Sequence, residues 1–253
     1  FVSILLGTLV GGVIAGQADA GMVLTVLIIT VAVGGYFACR YIPHAPAADP
    51  DLLINWNFFS ETRHLIGMAM EKRSIMLSIL GISWFWLIGS VLLAQFPGLT
   101  ERVLLGDTTV VTLILCVFTL SIAVGSLACE GLSGHHIEIG LVPLGALGIA
   151  LAGLDMYFSV EQLAALARGL PHRDWLAFLE APGSVRLLID FAFIGVFGGI
   201  FIVPLYAFIQ ANTSEDRRAR IIAVNNIINS ILMVLGNLFA IVMLEVANSG
   251  IPT

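Results

Sequence analysis

VRLLIDFAFIGVFGGIFIVPLYAFI, residues 185–209, decides the fold. Its 25 residues carry charge only at Arg186 and Asp190, both near the start. Roughly 20 consecutive apolar residues are enough for a helix to cross the hydrocarbon layer of a bilayer. Lipid offers the backbone no hydrogen bonds, so such a stretch must satisfy its own amides as a helix.

Six other stretches repeat the pattern, at roughly 1–16, 21–42, 74–96, 108–129, 137–154 and 219–246. The chain as a whole is 58% apolar and 11% charged, with a mean hydropathy of +1.01. Soluble domains carry about a quarter charged residues, so a second solvent is required to bury this much apolar surface. The expected class is therefore an all-α membrane protein of about seven transmembrane helices. A net charge of −6 and no basic stripe exclude a nucleic-acid partner. The three cysteines, Cys39, Cys116 and Cys129, sit in or beside apolar runs and read as buried thiols rather than a disulfide framework. Phe1 lies inside an apolar run without a signal-peptide pattern, and both ends read as cut from a longer chain.

Charge sorts the connections. Arg40, Arg63, Lys72 and Arg73 belong to or adjoin 43–73, and Arg217, Arg218 and Arg220 belong to 210–220. The opposite connections hold Arg102, Arg168, Arg173 and Arg186. Basic residues gather on the cytoplasmic side, which places 43–73 and 210–220 there. The segment 97–107 is expected as an outside loop opened by Pro97-Gly98. Within 155–184, Val160, Leu163, Leu166 and Ala167, then Trp175, Phe178 and Leu179, recur at helical spacing. They predict one or two short surface helices or, equally, a polar loop.

Polar groups inside spans are costly, which makes them candidates for function. Asn226, Ser230, Met233 and Asn237 form one stripe of the last span, flanked by Asn225 and Asn229. The stripe predicts either hydrogen bonding between helices or the lining of a substrate path. Asp190 can pair with Arg186 one turn back or face a cavity. Trp84, Phe85 and Trp86 lie too deep for an interfacial belt, and either pack or line a cavity for an alkyl chain. Glu130 and Glu138 flank a glycine-rich connection with His135 and His136, where a metal site is not expected. Gly7/Gly11, Gly12/Gly16 and Gly195/Gly199 predict close helix packing, and Pro204 a bend.

His44 and Asp49 match the H-x4-D spacing of glycerolipid acyltransferases. Their apolar intervening residues and the absence of a following phosphate-binding segment argue against catalysis. The sequence has no P-loop, dinucleotide turn or nucleophile elbow, so neither an enzyme nor a bound cofactor is expected.

Several segments in order resemble one family. ILLGTLVGGVIAG (4–16), Gly34-Gly35 and YIP (41–43) are similar to the fifth and sixth helices of the lysophospholipid transporters in the major facilitator superfamily. INWN (54–57) resembles the start of that family's central connection, GVFGGIFIVPLY (195–206) with Gln210 its tenth helix, and IAVNNIIN (222–229) its eleventh. SWFW (83–86), AQFP (94–97), CEGLSG (129–134), EIGLVP (138–143) and RARII (218–222) resemble the variant fused to a phospholipid acyltransferase and an acyl-carrier-protein ligase.

The resemblance implies three parts: the last two helices of an N-terminal bundle (1–42), a cytoplasmic central connection (43–73), and a C-terminal bundle lacking its last helix (74–253). It implies inward transport of lysophospholipid, notably lysophosphatidylethanolamine, across the bacterial inner membrane by alternating access. The partners are then membrane lipid, the lysophospholipid and an acyltransferase, fused or associated. Asn225, Asn226, Asn229 and Asp190 are the candidates near the headgroup path, with Trp84 and Trp86 nearer the chain. Glu130 and Glu138 stand where a gating loop is expected, although 125–140 departs from the facilitator signature by carrying His135-His136 where arginines are usual. A facilitator for a soluble molecule, or a non-transporting anchor for an acyltransferase, are the alternatives.

Overall fold

The computed structural model describes residues 2–15, 19–43, 56–134, 136–167 and 171–249. The described residues form helices joined by short connections: α1 (Val2–Ala15), α2 (Ala20–Cys39), α3 (Phe58–Met70), α4 (Arg73–Gly98), α5 (Thr108–Leu132), α6 (Leu141–Ala167), α7 (Trp175–Glu180), α8 (Ser184–Asn212) and α9 (Glu215–Ser249). Six of them, α2, α4, α5, α6, α8 and α9, are long and apolar enough to cross a membrane. The 14 residues of α1 reach about 21 Å, short of the roughly 30 Å hydrocarbon core.

Local chemistry sets the helix starts. Asp107 accepts from the backbone N–H groups of Thr109 and Val110, Asn57 from Ser60 and Asp174 from Ala177. Gly183, at φ 91°, turns the chain into α8.

Three boundaries differ from expectation. The fifth span is Leu141–Ala167, so 155–167 is the end of a membrane helix and not a surface segment. Its polar residues do not stop it because Asp155 and Ser159 find partners on α8. Only α7 remains as a short separate helix. Pro97-Gly98 does not open a loop: α4 continues through it into a π-helical turn, Leu99–Val103. Proline withholds a donor from the Leu93 carbonyl, and this single loss does not end the helix. The connection 43–73 contains α3, whose Leu65, Ile66 and Ala69 pack on α4 and α9.

α8 is the central helix, packed against α5, α6 and α4; α9 lies on α4 and α1 on α5. Close approach explains the glycines. A Cβ on Gly125 would fall 2.0 Å from the Val196 carbonyl oxygen, and one on Gly199 2.5 Å from the Ser126 nitrogen. Gly12 meets Thr112 of α5 in the same way, whereas nothing lies near Gly7 or Gly11.

Connections of like parity meet. At the basic end Arg217 Nη1 lies 2.8 Å from Glu71 Oε2, and Lys72 Nζ donates to the Asn212 carbonyl at 3.0 Å. At the other end Arg173 N donates to the Leu105 carbonyl at 2.8 Å and Asp107 N to the Arg173 carbonyl at 3.0 Å. The Arg173 guanidinium holds the Leu104 carbonyl at 3.0 Å.

The polarity is that of a protein in lipid. Leu147, Leu151 and Leu154 on α6 and Val234, Leu238 and Val242 on α9 face outward, while Ser83, Asp190, Asn225 and Asn229 are buried. No described residue of α2 is buried. The free thiols grade with position: Cys129 is buried, Cys116 half-buried and Cys39 exposed, the last against expectation because α2 has little packed beside it.

Candidate functional site

A largely apolar cavity of about 470 Å³ lies between α4, α5 and α8. Phe85, Phe118, Ile122 and Ile202 supply its apolar body. Trp86, Thr119, Tyr206 and Gln210 supply polar atoms, and none of the lining residues is charged. Trp86 Nε1 donates to the Tyr206 hydroxyl at 3.1 Å. This pair forms because side chains in helices lean toward their own N-termini. Trp86 on α4 and Tyr206 on α8 belong to antiparallel neighbours, so the two lean toward each other.

Such a cavity has the size of a small-molecule site and the composition of one for an amphiphile. An alkyl chain gains from burial against the phenyl rings, and hydroxyl and amide groups fix one polar end.

Trp84 lies on the other side of α4, largely exposed, beside a separate groove of about 210 Å³ lined by Ile88, Ala146 and Ile149. The two tryptophans are two residues apart, a rotation of about 200° around the helix, which puts them on opposite sides of α4. Phe85 borders both spaces and stacks on Phe201.

Asn229 and Asn237 of α9 belong to the α4 interface. Ser83 Oγ donates to Asn229 Oδ1 at 2.6 Å, and Asn237 Nδ2 donates to Ser90 Oγ at 3.0 Å and to the Met233 carbonyl at 2.9 Å. The buried positions are Asn225 and Asn229, while Asn226 and Ser230 are exposed. The first half of the predicted stripe, Asn226 and Ser230, therefore lies off the packed face, which its flank Asn225 and Asn229 occupies, while Asn237 at its far end does pack on α4. Gly236 fixes this rotation, because its missing side chain admits Leu87.

Asp190, 3% exposed, accepts from the Ser159 hydroxyl at 2.5 Å. It does not take Arg186 as its ion-pair partner. Arg186 reaches across to α6, donating to Asp155 with Nε at 3.1 Å and with Nη2. Asp155 stands one turn before Ser159, so a single face of α6 meets both α8 side chains.

Glu130 falls in the last turns of α5, and Glu138 Oε1 accepts from Gly140 N at 2.9 Å, shaping the entry to α6. His135, and the His44–Asp49 pair, lie outside the described residues. Among the described residues no group of three metal-ligating side chains converges.

Thus the structure places Trp86 in the cavity and puts Asn225, Asn229 and Asp190 in helix interfaces. Tyr206 and Thr119 were missed as site residues, since a lone tyrosine or threonine in an apolar run carries no spacing signal. Gln210, the first polar residue after the run, was legible only as its end.

No family model matches the chain, and no solved structure matches it. Among curated proteins, it is 31% identical over 242 residues to a protein of Klebsiella pneumoniae (strain 342) named lysophospholipid transporter LplT, covering 92% of this chain and 53% of that protein. It is 29% identical over 258 residues to a protein of the same name from Escherichia coli O157:H7 (strain EC4115 / EHEC), covering 99% and 57%. The chain spans about half the length of these relatives.

Proposed function

We propose that the chain, which is similar over most of its length to about half of a lysophospholipid transporter, forms part of a transporter that moves lysophospholipid, with lysophosphatidylethanolamine the leading substrate, across the bacterial inner membrane. Long apolar helices suit the inner membrane, because the bacterial outer membrane is spanned by closed barrels. The basic end, with Glu71, Lys72 and Arg217, faces the cytoplasm in this reading.

The observation that carries the proposal is the cavity between α4, α5 and α8. Its phenyl-lined body and its few hydroxyl and amide groups match a single chain with a polar end. A soluble polar metabolite would find too few partners there, and an anchor would need no cavity. The relatives are named as transporters, and we read the chain itself as non-enzymatic.

We assign residues 1–42 to an N-terminal bundle of the major facilitator type, 43–73 to the central connection and 74–253 to the C-terminal bundle. Alternating access then arises from rocking of the two bundles around a site between them. α1 supports this reading: Leu9, Gly12 and Val13 meet Thr109, Thr112 and Cys116 near the start of α5, at the end away from the basic clusters. The bundles touch on the outer side, which leaves the cavity to open inward. Asn226, exposed on α9, is the asparagine we keep as a path residue, with Trp86. A fused or associated acyltransferase would consume the lysophospholipid delivered.

The test uses the full-length protein in proteoliposomes, following labelled lysophosphatidylethanolamine against a labelled sugar phosphate. Protein-dependent movement of the lipid alone is expected. Movement of the sugar phosphate, or of neither by folded protein, sinks the proposal.

A further inference from the structure

Two hydroxyls in the cavity have hydrogens with no taker. Tyr206 accepts from the Trp86 indole, and among the described residues nothing accepts from Tyr206 in return. Thr119, on α5, lines the same cavity and is 7% exposed. Hydroxyls on membrane helices commonly bond to the carbonyl one turn back. Thr112, Ser126 and Ser230 do so here, whereas Thr119 makes no such bond. Both hydroxyls instead open onto the cavity, where they are placed to donate to a ligand.

We infer that the Tyr206 and Thr119 hydroxyls are the ligand-contacting donors that fix the oxygens joining the acyl chain to its headgroup, an ester carbonyl or a phosphate oxygen. This rests on the reading of the chain as a lysophospholipid transporter. The indole N–H fills one acceptor site of Tyr206 and polarises its O–H, strengthening the bond that it donates. Gln210 stands one turn from Tyr206 toward the basic end of α8, and Leu93 lies toward the opposite end of α4. A ligand held by Tyr206 and Thr119 therefore lies with its headgroup toward Gln210 and the basic end. Its chain runs along Phe85, Phe118 and Leu93. That is the orientation of a lipid in the cytoplasmic leaflet, so the site as built holds the lipid ready for release inward.

The assignment makes the two hydroxyls the device that tells an oxygen-bearing lipid from a bare hydrocarbon chain. The full-length protein, purified in detergent, is titrated by scintillation proximity with three labelled probes of equal chain length. They are lysophosphatidylethanolamine, a monoacylglycerol and an alkyltrimethylammonium surfactant. Tyr206→Phe is expected to weaken lysophosphatidylethanolamine binding roughly tenfold and to leave the surfactant unchanged. Loss for both glycerolipids identifies the ester oxygen as the acceptor; loss for lysophosphatidylethanolamine alone identifies the phosphate. Thr119→Val, which keeps the side-chain shape, is expected to follow the same pattern more weakly, and it carries the test if Tyr206→Phe does not fold.

Unchanged binding of all three probes, or equal weakening of all three, overturns the inference, the latter because a structural defect would not discriminate. Failure of the wild-type protein to bind lysophosphatidylethanolamine at all overturns the transporter reading instead.

Discussion

Ser83 and Asn229, 146 residues apart in the chain, share a 2.6 Å hydrogen bond in the buried seam between α4 and α9. Two helical turns on, Asn237 donates to Ser90 at 3.0 Å. Because both numbers rise together, the two helices run parallel, as helices separated by three intervening spans must. These polar pairs are set among the apolar contacts of Ile79, Ile82 and Val224 in the same seam. In lipid, apolar surface gives no drive for association, and side-chain hydrogen bonds and close packing take over.

Asn229→Ala is expected to destabilise the protein by about 1 kcal/mol, within the range of interhelical hydrogen bonds in membranes. Asn226→Ala, on the exposed side of α9 where its amide oxygen accepts only a long 3.4 Å bond from Asn225, is expected to cost less stability than Asn229→Ala and to lower transport. Thermal unfolding in detergent and uptake by the same preparations check both. A drop in stability at Asn226 equal to that at Asn229 would contradict the rotation of the stripe.

Gly125→Ala is expected to abolish most folded protein, since its methyl would fall on the Val196 carbonyl and push α8 away from α5. Overpacking of this kind costs roughly 1–3 kcal/mol or more. Gly153→Ala on α6, whose methyl meets nothing within 4 Å, is the matched control and should behave as wild type. Monodisperse yield on size exclusion separates the two.

Ser159→Ala is expected to destabilise more than Arg186→Gln. The serine is the hydrogen-bond donor to a buried carboxylate, Asp190, and its loss costs about 1–3 kcal/mol. The Arg186–Asp155 pair is about half exposed on both sides, where ion pairs contribute little. Thermal midpoints of the two variants, measured side by side, give the order.

Orientation is testable by labelling. In a variant free of Cys39, Cys116 and Cys129, Phe59→Cys on α3 is expected to react with an impermeant maleimide only in inverted vesicles. Asp174→Cys, at the start of α7, should react only in intact spheroplasts. The reverse pattern would place the basic end outside and invert the proposed direction of transport.

The sequence by itself determined that the chain lives in a bilayer, the approximate position of its spans, and which connections share a side. These follow from composition and length, because lipid forces each apolar run of sufficient length into a helix that satisfies its own backbone. The order of similar segments likewise pointed to the lysophospholipid transporters. Charged or proline-bearing ends were legible only in part. Asp155 read as the end of a span and Pro97 as the start of a loop, since a sequence does not record that Ser159 and Asp155 find partners on α8 or that α4 runs on through the proline into a π turn.

Only the tertiary structure decided which polar residues meet. A helical wheel gives the spacing of Asn225, Asn226 and Asn229 but not the absolute rotation, which Gly236 against Leu87 and Ser83 against Asn229 set. Trp84 and Trp86 look equivalent in the sequence, yet α4 sends one outward and the other to Tyr206, 120 residues later. Periodicity is a property of one helix, whereas a site is a property of several, and the angles between helices are fixed by packing that no single stretch contains.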